Sequence, residues 1–545
     1  MESRAPPQFE SPISHLLASN NVATDQEQKA ARLFIEMLNN RLSEIDQEIN
    51  ALLKKRQEER AAINDVIRRH KAISHPVRAL APEILSEIFH HCQRGSIAEI
   101  LPEVPDSFHP LKGPLLLTHV CSQWRTVAVS SSRLWTTLRM QYGFPLRSQS
   151  QLRSQLTLAL LWISRSGIAP LEVCFHLSDI VDNVQLEQNQ IYRALLGSLN
   201  RWRSIYIITF MPHDVLHVLE PYTKNLSTIK KYTLISPDVV SNGRRRAQTP
   251  YGVYLSPDSI TWPASMETIS FQAGFNYEGF SLPLRQLTTL DIYSELDSNF
   301  ITIKQFFSVL TEGPNLLDLR VRCLGIDLEF PDPNSTDTGT FMEHSYPRLQ
   351  TLHITVVNDG YIIDPLLLLG TFPALKNFAI GSTSRRRPWS HAALTSFLER
   401  TSGSIQELEV IGHGIGWTEV AQYFSDTPDA SRVSITANGL GDYELNMASD
   451  ILRHLEHLRL QGEIHVSSGA FAEFLRRRCG AHAEREEVAL LQSLDIRCLG
   501  ETTEFVDAVV FENLMEYSGK GTKIQIETDY VCLFPRANFL PRRFH

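Results

Sequence analysis

Three groups of residues have types and spacings from which chemistry could be built. In "EVIGHGIGWTEVAQYF", Gly412, Gly414 and Gly416 follow a strand-like phrase and precede a helical pattern. A dinucleotide-binding turn uses such glycines so that a pyrophosphate can approach the backbone at a helix N-terminus. It needs its third glycine one position later, where Trp417 stands, and that bulk would bar close packing of helix on strand. The run therefore reads as a turn between a strand and a helix. The second group is His90, His91, Cys92, His119 and Cys121, all of metal-ligating type. Their spacing fits no closed zinc site, and Cys121 falls on an apolar helical stripe. The third is a set of arginine runs at 244–246, 385–387 and 476–478. Loop runs of this kind can meet acidic partners or serve nuclear import, but a solvated surface is the simpler reading, and the last reads as a solvated helix end. No Walker loop, nucleophile elbow or His-Glu-x-x-His pattern appears. The expectation is a non-catalytic chain without metal or cofactor.

The totals point the same way. A chain of 545 residues with 43% hydrophobic and 21% charged residues has the composition of a globular protein of several units. Its net charge of −9 argues against a nucleic-acid-binding surface. The longest apolar runs, "LTLALLW" and "PLLLLGTF", are too short to span a bilayer, and the N-terminus has no secretory pattern. Seven scattered cysteines without paired spacing suit a reduced, intracellular setting, cytoplasmic or nuclear.

Residues 1–27 are polar with paired prolines and read as disordered. Over 28–73 a different pattern takes hold. Ile35, Leu38, Leu42, Ile45, Ile49 and Leu52 recur at alternating steps of three and four, and the count continues through Arg56 and Glu59 to Ile63, Val66, His70 and Ile73. That is a coiled-coil seam, polar in its middle. It predicts either self-association or packing along the rest of the chain.

Pro76 ends this helix, because a proline disfavours helical geometry in the residue before it. In "LAPEILSEIFHHC", Pro82 suits the first turn of a new helix and Glu83 suits its positive end. Ile84, Leu85, Ile88 and Phe89 fall on one side. Farther on, Leu116, Leu117, Val120, Cys121 and Trp124 form another stripe, followed by Leu134 and Trp135. Two or three short helices with so many large apolar residues exceed what so small a unit can bury alone, so a partner protein is the natural place for the excess.

These residues resemble the F-box family. Leu80, Pro82, Glu83, Ile84, Leu85, Ile88 and Phe89 match the first half of its motif, and Val120, Cys121, Trp124, Leu134 and Trp135 match the second. Ala81 stands where the commoner text has Leu-Pro directly, and the spacer "QRGSIAEILPEVPDSFHPLKGP" is longer than usual. The resemblance implies a domain over 75–140 that binds the Skp-type adaptor of a cullin–RING ubiquitin ligase. Leu80, Pro82, Ile84, Leu85, Ile88, Phe89, Leu116, Val120, Cys121, Trp124, Leu134 and Trp135 would divide between its core and the adaptor interface. The other reading is a small helical bundle packed on the downstream domain, with no ligase involved.

Residues 150–530 carry a repeated phrase, apolar-x-x-apolar-x-apolar. It occurs as "LRQLTTLDI", "PNLLDLRV", "PRLQTLHI", "PALKNFAI", "GSIQELEV", "HLEHLRL" and "LLQSLDI". Its last step has the period of two that a half-buried strand needs, and several copies follow an amphipathic helical stretch such as "IKQFFSVLTEG". Central residues Leu290, Leu319, Leu352, Phe378, Leu408, Leu458 and Leu494 lie 26 to 36 residues apart except for one interval of 50, which has room for a degenerate unit at Val433 and Ile435. "LEVCFHL", "RWRSIYI" and "SMETISF" extend the pattern toward residue 170. Strand–helix units of this length resemble divergent leucine-rich repeats. The expected fold is thus α/β: a leucine-rich-repeat-like solenoid preceded by an all-α F-box bundle and a long coiled-coil-like helix, with a tail at 531–545. The alternative is a compact α/β domain with a parallel sheet. Stacked units leave a long strand surface suited to an unknown protein substrate, with polar insertions such as "SNGRRRAQTPYG" as surface loops. Together these features predict a ligase substrate receptor that supplies effective concentration and orientation; a non-ligase interaction scaffold is the second reading.

Overall fold

A computed structural model describes residues 9–19, 21–73, 75–92, 107–142, 149–177, 190–209, 227–235, 262–272, 282–293, 301–325, 344–356, 363–382, 389–401, 403–479, 488–498, 506–528 and 532–534. The chain divides into two units, Met1–Ile88 and Phe89–His545.

The first unit holds a short helix α1 (Ser14–Leu17) and the long helix α2 (Asp25–Ile73). Helix α1 and the start of α2 both lie in the stretch expected to be disordered. A capping box explains the early start: the Thr24 hydroxyl donates to Glu27 Oε2 at 2.6 Å, and Thr24 N donates to the same oxygen at 2.8 Å. At 49 residues, α2 is ~74 Å long at 1.5 Å per residue. It is uninterrupted, and ion pairs one turn apart line its surface, Arg41–Glu44 and Arg69–Asp65 each at 2.7 Å. It stops at Ile73, and Pro76–Ala79 forms one 3-10 turn in which His75 Nδ1 accepts from Val77 N. Helix α3 (Pro82–Cys92) then begins with Pro82 in its first turn. The division between the units falls inside it.

The second unit continues with α4 (Gly113–Val120) and α5 (Ser122–Ser130). Its centre is one sheet with strands β1 (Thr137–Tyr142), β2 (Leu171–Leu177), β3 (Trp202–Thr209), β4 (Lys231–Ile235), β5 (Thr268–Gln272), β6 (Thr289–Tyr293), β7 (Ile301–Thr302) and β8 (Asp318–Gly325). A separate two-residue strand β9 (His344–Ser345) pairs with β11 (Gly370–Thr371). Between and after them the main sheet resumes with β10 (Thr351–Val356), β12 (Asn377–Ser382), β13 (Glu407–Gly416), β14 (Arg432–Asn438), β15 (His457–Gly462), β16 (Ser493–Cys498) and β17 (Lys523–Thr528). β18 (Cys532–Phe534) pairs antiparallel with β17, so the stretch read as a tail adds a strand. Among the described residues, leaving out β7 and β18, fourteen strands lie side by side in chain order, every pair parallel.

Helices lie between the strands: α6 (Gln149–Arg165), α7 (Gln190–Leu196), α8 (Ile303–Glu312), α9 (Asp364–Leu369), α10 (His391–Thr401), α11 (Trp417–Asp426), α12 (Asp442–Ile451), α13 (Ser468–Cys479) and α14 (Ala508–Gly519). From α9 to α14 each helix packs on the next. The fold is therefore α/β with a parallel sheet and a long N-terminal helix.

The repeated phrase is the reason for the register. Leu290, Leu319, Leu352, Phe378, Leu408, Val433, Leu458 and Leu494 are direct neighbours across successive strands, so the interval of 50 does contain a strand at Val433. All eight are at most 1% exposed. The same row extends backward through Ile269, Tyr232, Ile205 and Val173 to Leu138. Because strand side chains alternate, a one-residue slip would turn every one of these into the opposite face, and burial forbids it. β1 and β4 carry the phrase as Trp135-x-x-Leu138-x-Met140 and Ile229-x-x-Tyr232-x-Leu234, though neither is among the copies read from the sequence; β17 lacks its leading apolar residue, and β1 overlaps the end of the segment assigned to the F-box domain.

Among the described residues no helix is long and apolar enough to cross a membrane.

Candidate functional site

Two places combine a distinctive chemistry with access to solvent. The first is the helical segment at α3–α5. On α3 the four apolar residues expected on one side divide between two adjacent stripes. Leu85 and Phe89 are buried, whereas Ile84 and Ile88 remain 52% and 41% exposed. Pro82 is exposed and Leu80 half-buried.

In the second unit the expected single stripe from Leu116 to Trp124 is broken into two helices. Cys121 has an extended backbone, which ends α4, and its Sγ accepts from Trp124 N at 3.5 Å, which starts α5. This use of Cys121 accounts for its place in the sequence, and no group of His, Cys, Asp and Glu residues fit to hold a metal ion occurs among the described residues. Pro114, Leu115 and Thr118 form the inner face of α4, leaving Leu116 and Val120, one turn apart, 41% and 53% exposed. Trp124 is half-buried and packs against Phe89, ring centroids 4.8 Å apart.

Leu134 and Trp135 are buried and face inward. The Trp135 indole N–H donates to the Ala128 carbonyl at 2.8 Å, its ring meets Trp162 of α6 edge-on at 4.7 Å, and the Arg165 guanidinium lies over it at 4.4 Å. The Trp162 N–H in turn donates to the Thr137 carbonyl of β1. These two residues weld the helical segment to the start of the sheet. Residues 93–106 of the long spacer lie outside the described residues.

The second place is the sheet face opposite the buried row. Its central positions, read across the strands, are Arg139, Cys174, Tyr206, Thr233, Ser270, Asp291, Arg320, His353, Ala379, Glu409, Ser434, Arg459, Asp495 and Gln525. The row changes character along its length. From Arg139 to Ser270 every member is buried, and Cys174, Tyr206 and Ile208 form an apolar cluster with Ile235 beside it. Burial pushes the Cys174 thiol up to about 12, so it stays protonated.

From Arg320 onward the row, apart from Ala379, is polar, and its members are half-buried or exposed. It floors a trough of about 760 Å³ lined by Arg320, Arg432, Arg459 and Arg497 and by Glu407, Glu409, Asp495 and Glu527. Many of these groups are held by neighbours one strand away. Arg432 pairs with Glu407, Arg459 Nε lies 3.7 Å from Asp495, and the Ser434 hydroxyl donates to Glu409 at 3.3 Å. At the boundary Arg322 donates to Asp291 at 3.0 Å and stacks over Tyr293 at 4.7 Å. Burial, with Arg322 and Arg320 nearby, lowers the His353 pKa to about 4, leaving the ring neutral. Burial raises the Glu409 pKa. The trough is thus a preorganised array of both signs, with hydroxyl and amide groups between them. Such a surface fits an extended polypeptide of mixed charge better than a polyanion. Its individual residues were legible only as the "x" positions of the repeated phrase.

Two expectations need correction here. Gly412, Gly414 and Gly416 do not form a turn; all three lie in β13, which runs directly into α11 at Trp417. A Cβ on Gly412 would come within 3.3 Å of the buried Trp389 ring, so this glycine makes room for an indole. In the run at 476–478, Arg476 and Arg477 are surface residues paired with Glu473, but Arg478 is 1% exposed. Its guanidinium donates to the carbonyls of Leu452 at 2.9 Å and Leu455 at 2.7 Å, just past the end of α12. It also reaches the Ser449 carbonyl in the last turn of α12 at 3.4 Å, so it donates to acceptors at and just beyond the helix end. Residues 244–246 and 385–387 lie outside the described residues.

No protein-family model matches the chain, and no curated protein matches it. Among solved structures, a Bacteroides fragilis protein determined as a structural-genomics target aligns over 66% of this chain and 82% of its own, at 9% identity and a TM-score of 0.27, too distant to carry an argument.

Proposed function

We propose that this chain is the substrate-recognition subunit of a Skp–cullin–F-box ubiquitin ligase, docking on a Skp-type adaptor through α3–α5 and capturing a protein target on the open face of its sheet. It would perform no covalent chemistry and act inside the cell. The observation that carries the reading is the way the F-box-like residues sort. Leu85, and in the second unit Phe89, Leu134 and Trp135, are buried, while Ile84 and Ile88 on α3, and in the second unit Leu116 and Val120 on α4, leave large aliphatic side chains in solvent. Exposed aliphatic pairs at helical spacing are what an adaptor interface requires, and they are costly without one.

The sheet supports a leucine-rich-repeat-like solenoid as the substrate domain. Its units follow one another in chain order, most bury the same phrase, and the opposite face of the later strands forms the mixed-charge trough. Target capture in the trough would raise the target's local concentration near the charged enzyme. The second reading, a scaffold without a ligase, draws support from the packing of Trp135 on Trp162, which spends part of the motif internally.

Co-expression of the full chain with a Skp-type adaptor, followed by size-exclusion chromatography, separates the two. The full chain is needed because a fragment ending near residue 145 would remove Trp162 from Trp135. One-to-one co-elution is expected, and Ile84→Asp combined with Ile88→Asp should abolish it while the thermal unfolding of the sheet stays unchanged. Leu85 is unsuitable for this test because it is buried. Failure of the wild-type chain to co-elute would overturn the ligase reading.

A further inference from the structure

The seam of α2 is exposed at most of its apolar positions: Ile35, Leu42, Ile45, Ile49, Leu52, Ile63, Val66 and Ile73 are each between 39% and 63% exposed, and Leu38 is half-buried. Stepping by three and four places Ile35, Leu42, Ile49, Arg56, Ile63 and His70 at the a positions of a heptad, and Leu38, Ile45, Leu52, Glu59, Val66 and Ile73 at the d positions. The two charged members sit together at the centre, one at a and one at d, and within the single chain they pair with each other at 2.7 Å on the surface. Charge at these positions distinguishes the ways in which a second copy can cover the seam. In a parallel pair each a position faces its own equivalent, so Arg56 meets Arg56, Glu59 meets Glu59, and Lys55 at g lies beside Arg60 at e. In an antiparallel pair a positions face d positions, and Arg56 meets Glu59 twice.

We propose that the chain forms an antiparallel homodimer through α2, with its two-fold axis between Gln57 and Glu58. In this register Leu52 packs on Ile63 of the second copy, Ile49 on Val66, Ile45 on His70 and Leu42 on Ile73. Roughly nine helical turns overlap. Glu48 and Arg69, both at g, also come side by side across the pair, adding opposite charges on the flank. A parallel pair would cover two more apolar positions, Ile35 and Leu38, but at the cost of like charges in the seam, one of them a buried Arg–Arg contact. A buried charge without an opposite partner outweighs an added aliphatic layer. The polar centre therefore specifies both orientation and register, and the occupant of the stripe is a second copy of this chain. This inference stands apart from the ligase reading.

Sedimentation velocity of the full chain should give twice the 61.8 kDa of one copy. Glu59→Arg should weaken the dimer at least ~10-fold, because a second guanidinium then faces Arg56 where a carboxylate stood, and Arg56→Glu combined with Glu59→Arg should restore it. Because α2 is exposed, neither change should alter unfolding of the sheet. Orientation is read by disulfide trapping against the wild-type background, since Cys92 is exposed. Leu52→Cys and Ile63→Cys should each gain no cross-link alone and should cross-link only when mixed. A monomer, a dimer indifferent to Glu59→Arg, a double reversal that stays weak, or self-linking of either single variant would overturn the proposal.

Discussion

Leu42 and Leu52 of the long helix are 59% and 63% exposed, whereas Leu352, Phe378 and Leu458, which recur with comparable regularity along the sheet, are 1% exposed or less. Both regions announce an apolar face by its period. In the sheet each unit covers its neighbour, so the same chain supplies both sides of every contact. In the helix most of the stripe stays in solvent, and capping and surface ion pairs hold the helix. Periodicity thus states which side is apolar and leaves open what covers it.

The sharpest break of this comparison is Leu352→Ala against Leu42→Ala. The first should cost ~2–5 kcal/mol of sheet stability by leaving a cavity, and the second should change it by less than ~0.5 kcal/mol, both read by urea denaturation. A large effect at Leu42 would mean that the helix stripe is covered within the chain.

A smaller contrast lies within one short run. Arg478→Ala should cost ~2–4 kcal/mol, because it removes the buried donor to the Leu455 carbonyl and a second donor to Leu452 and opens a cavity, whereas Arg477→Ala should stay within ~0.5 kcal/mol. Thermal unfolding of the two variants measures the difference.

The smallest effect is in pH. His353 in the folded sheet titrates near 4, below the ordinary histidine range, so between about pH 6.5 and 4 the unfolded chain takes up a proton that the folded one refuses. Its contribution to stability is therefore complete above pH 6.5 and is lost as pH falls through that window. Glu409 works in the opposite direction, its raised pKa favouring proton uptake in the folded state. The difference between wild type and His353→Asn isolates the histidine: the variant should lose less stability than wild type between pH 7 and 5. Equal slopes would show that His353 is not shielded.

Much of the fold could be read from residue types alone. The phrase apolar-x-x-apolar-x-apolar located most of the strands from Leu171 to Cys498, and even the concealed unit at Val433, because burial on one face demands that alternation. β17 escaped notice because Gly521 stands where the phrase has its leading apolar residue, whereas β4 carries the phrase from Ile229 to Leu234 with a tyrosine, Tyr232, at its centre. In the helical segment the motif named apolar residues but could not divide them between interior and surface. Ile84 and Leu85 are adjacent in sequence and equally apolar, yet one is in solvent and the other buried, since a 100° step around a helix separates faces that composition cannot rank.

The sequence by itself determined the local periods: a seam of 3.5 residues from Ile35 to Ile73, a strand alternation repeated through most of the chain, and proline breaks between them. These depend only on neighbours within a few residues. The tertiary structure alone decided that Arg478 is an interior cap while Arg477 is a surface ion pair, and that Gly412 accommodates Trp389. It alone gathered Arg320, Glu409, Arg459 and Asp495 from four distant segments into one trough. Contacts of that kind join residues from separate units, and their partners are set by strand order and register, which no single segment contains.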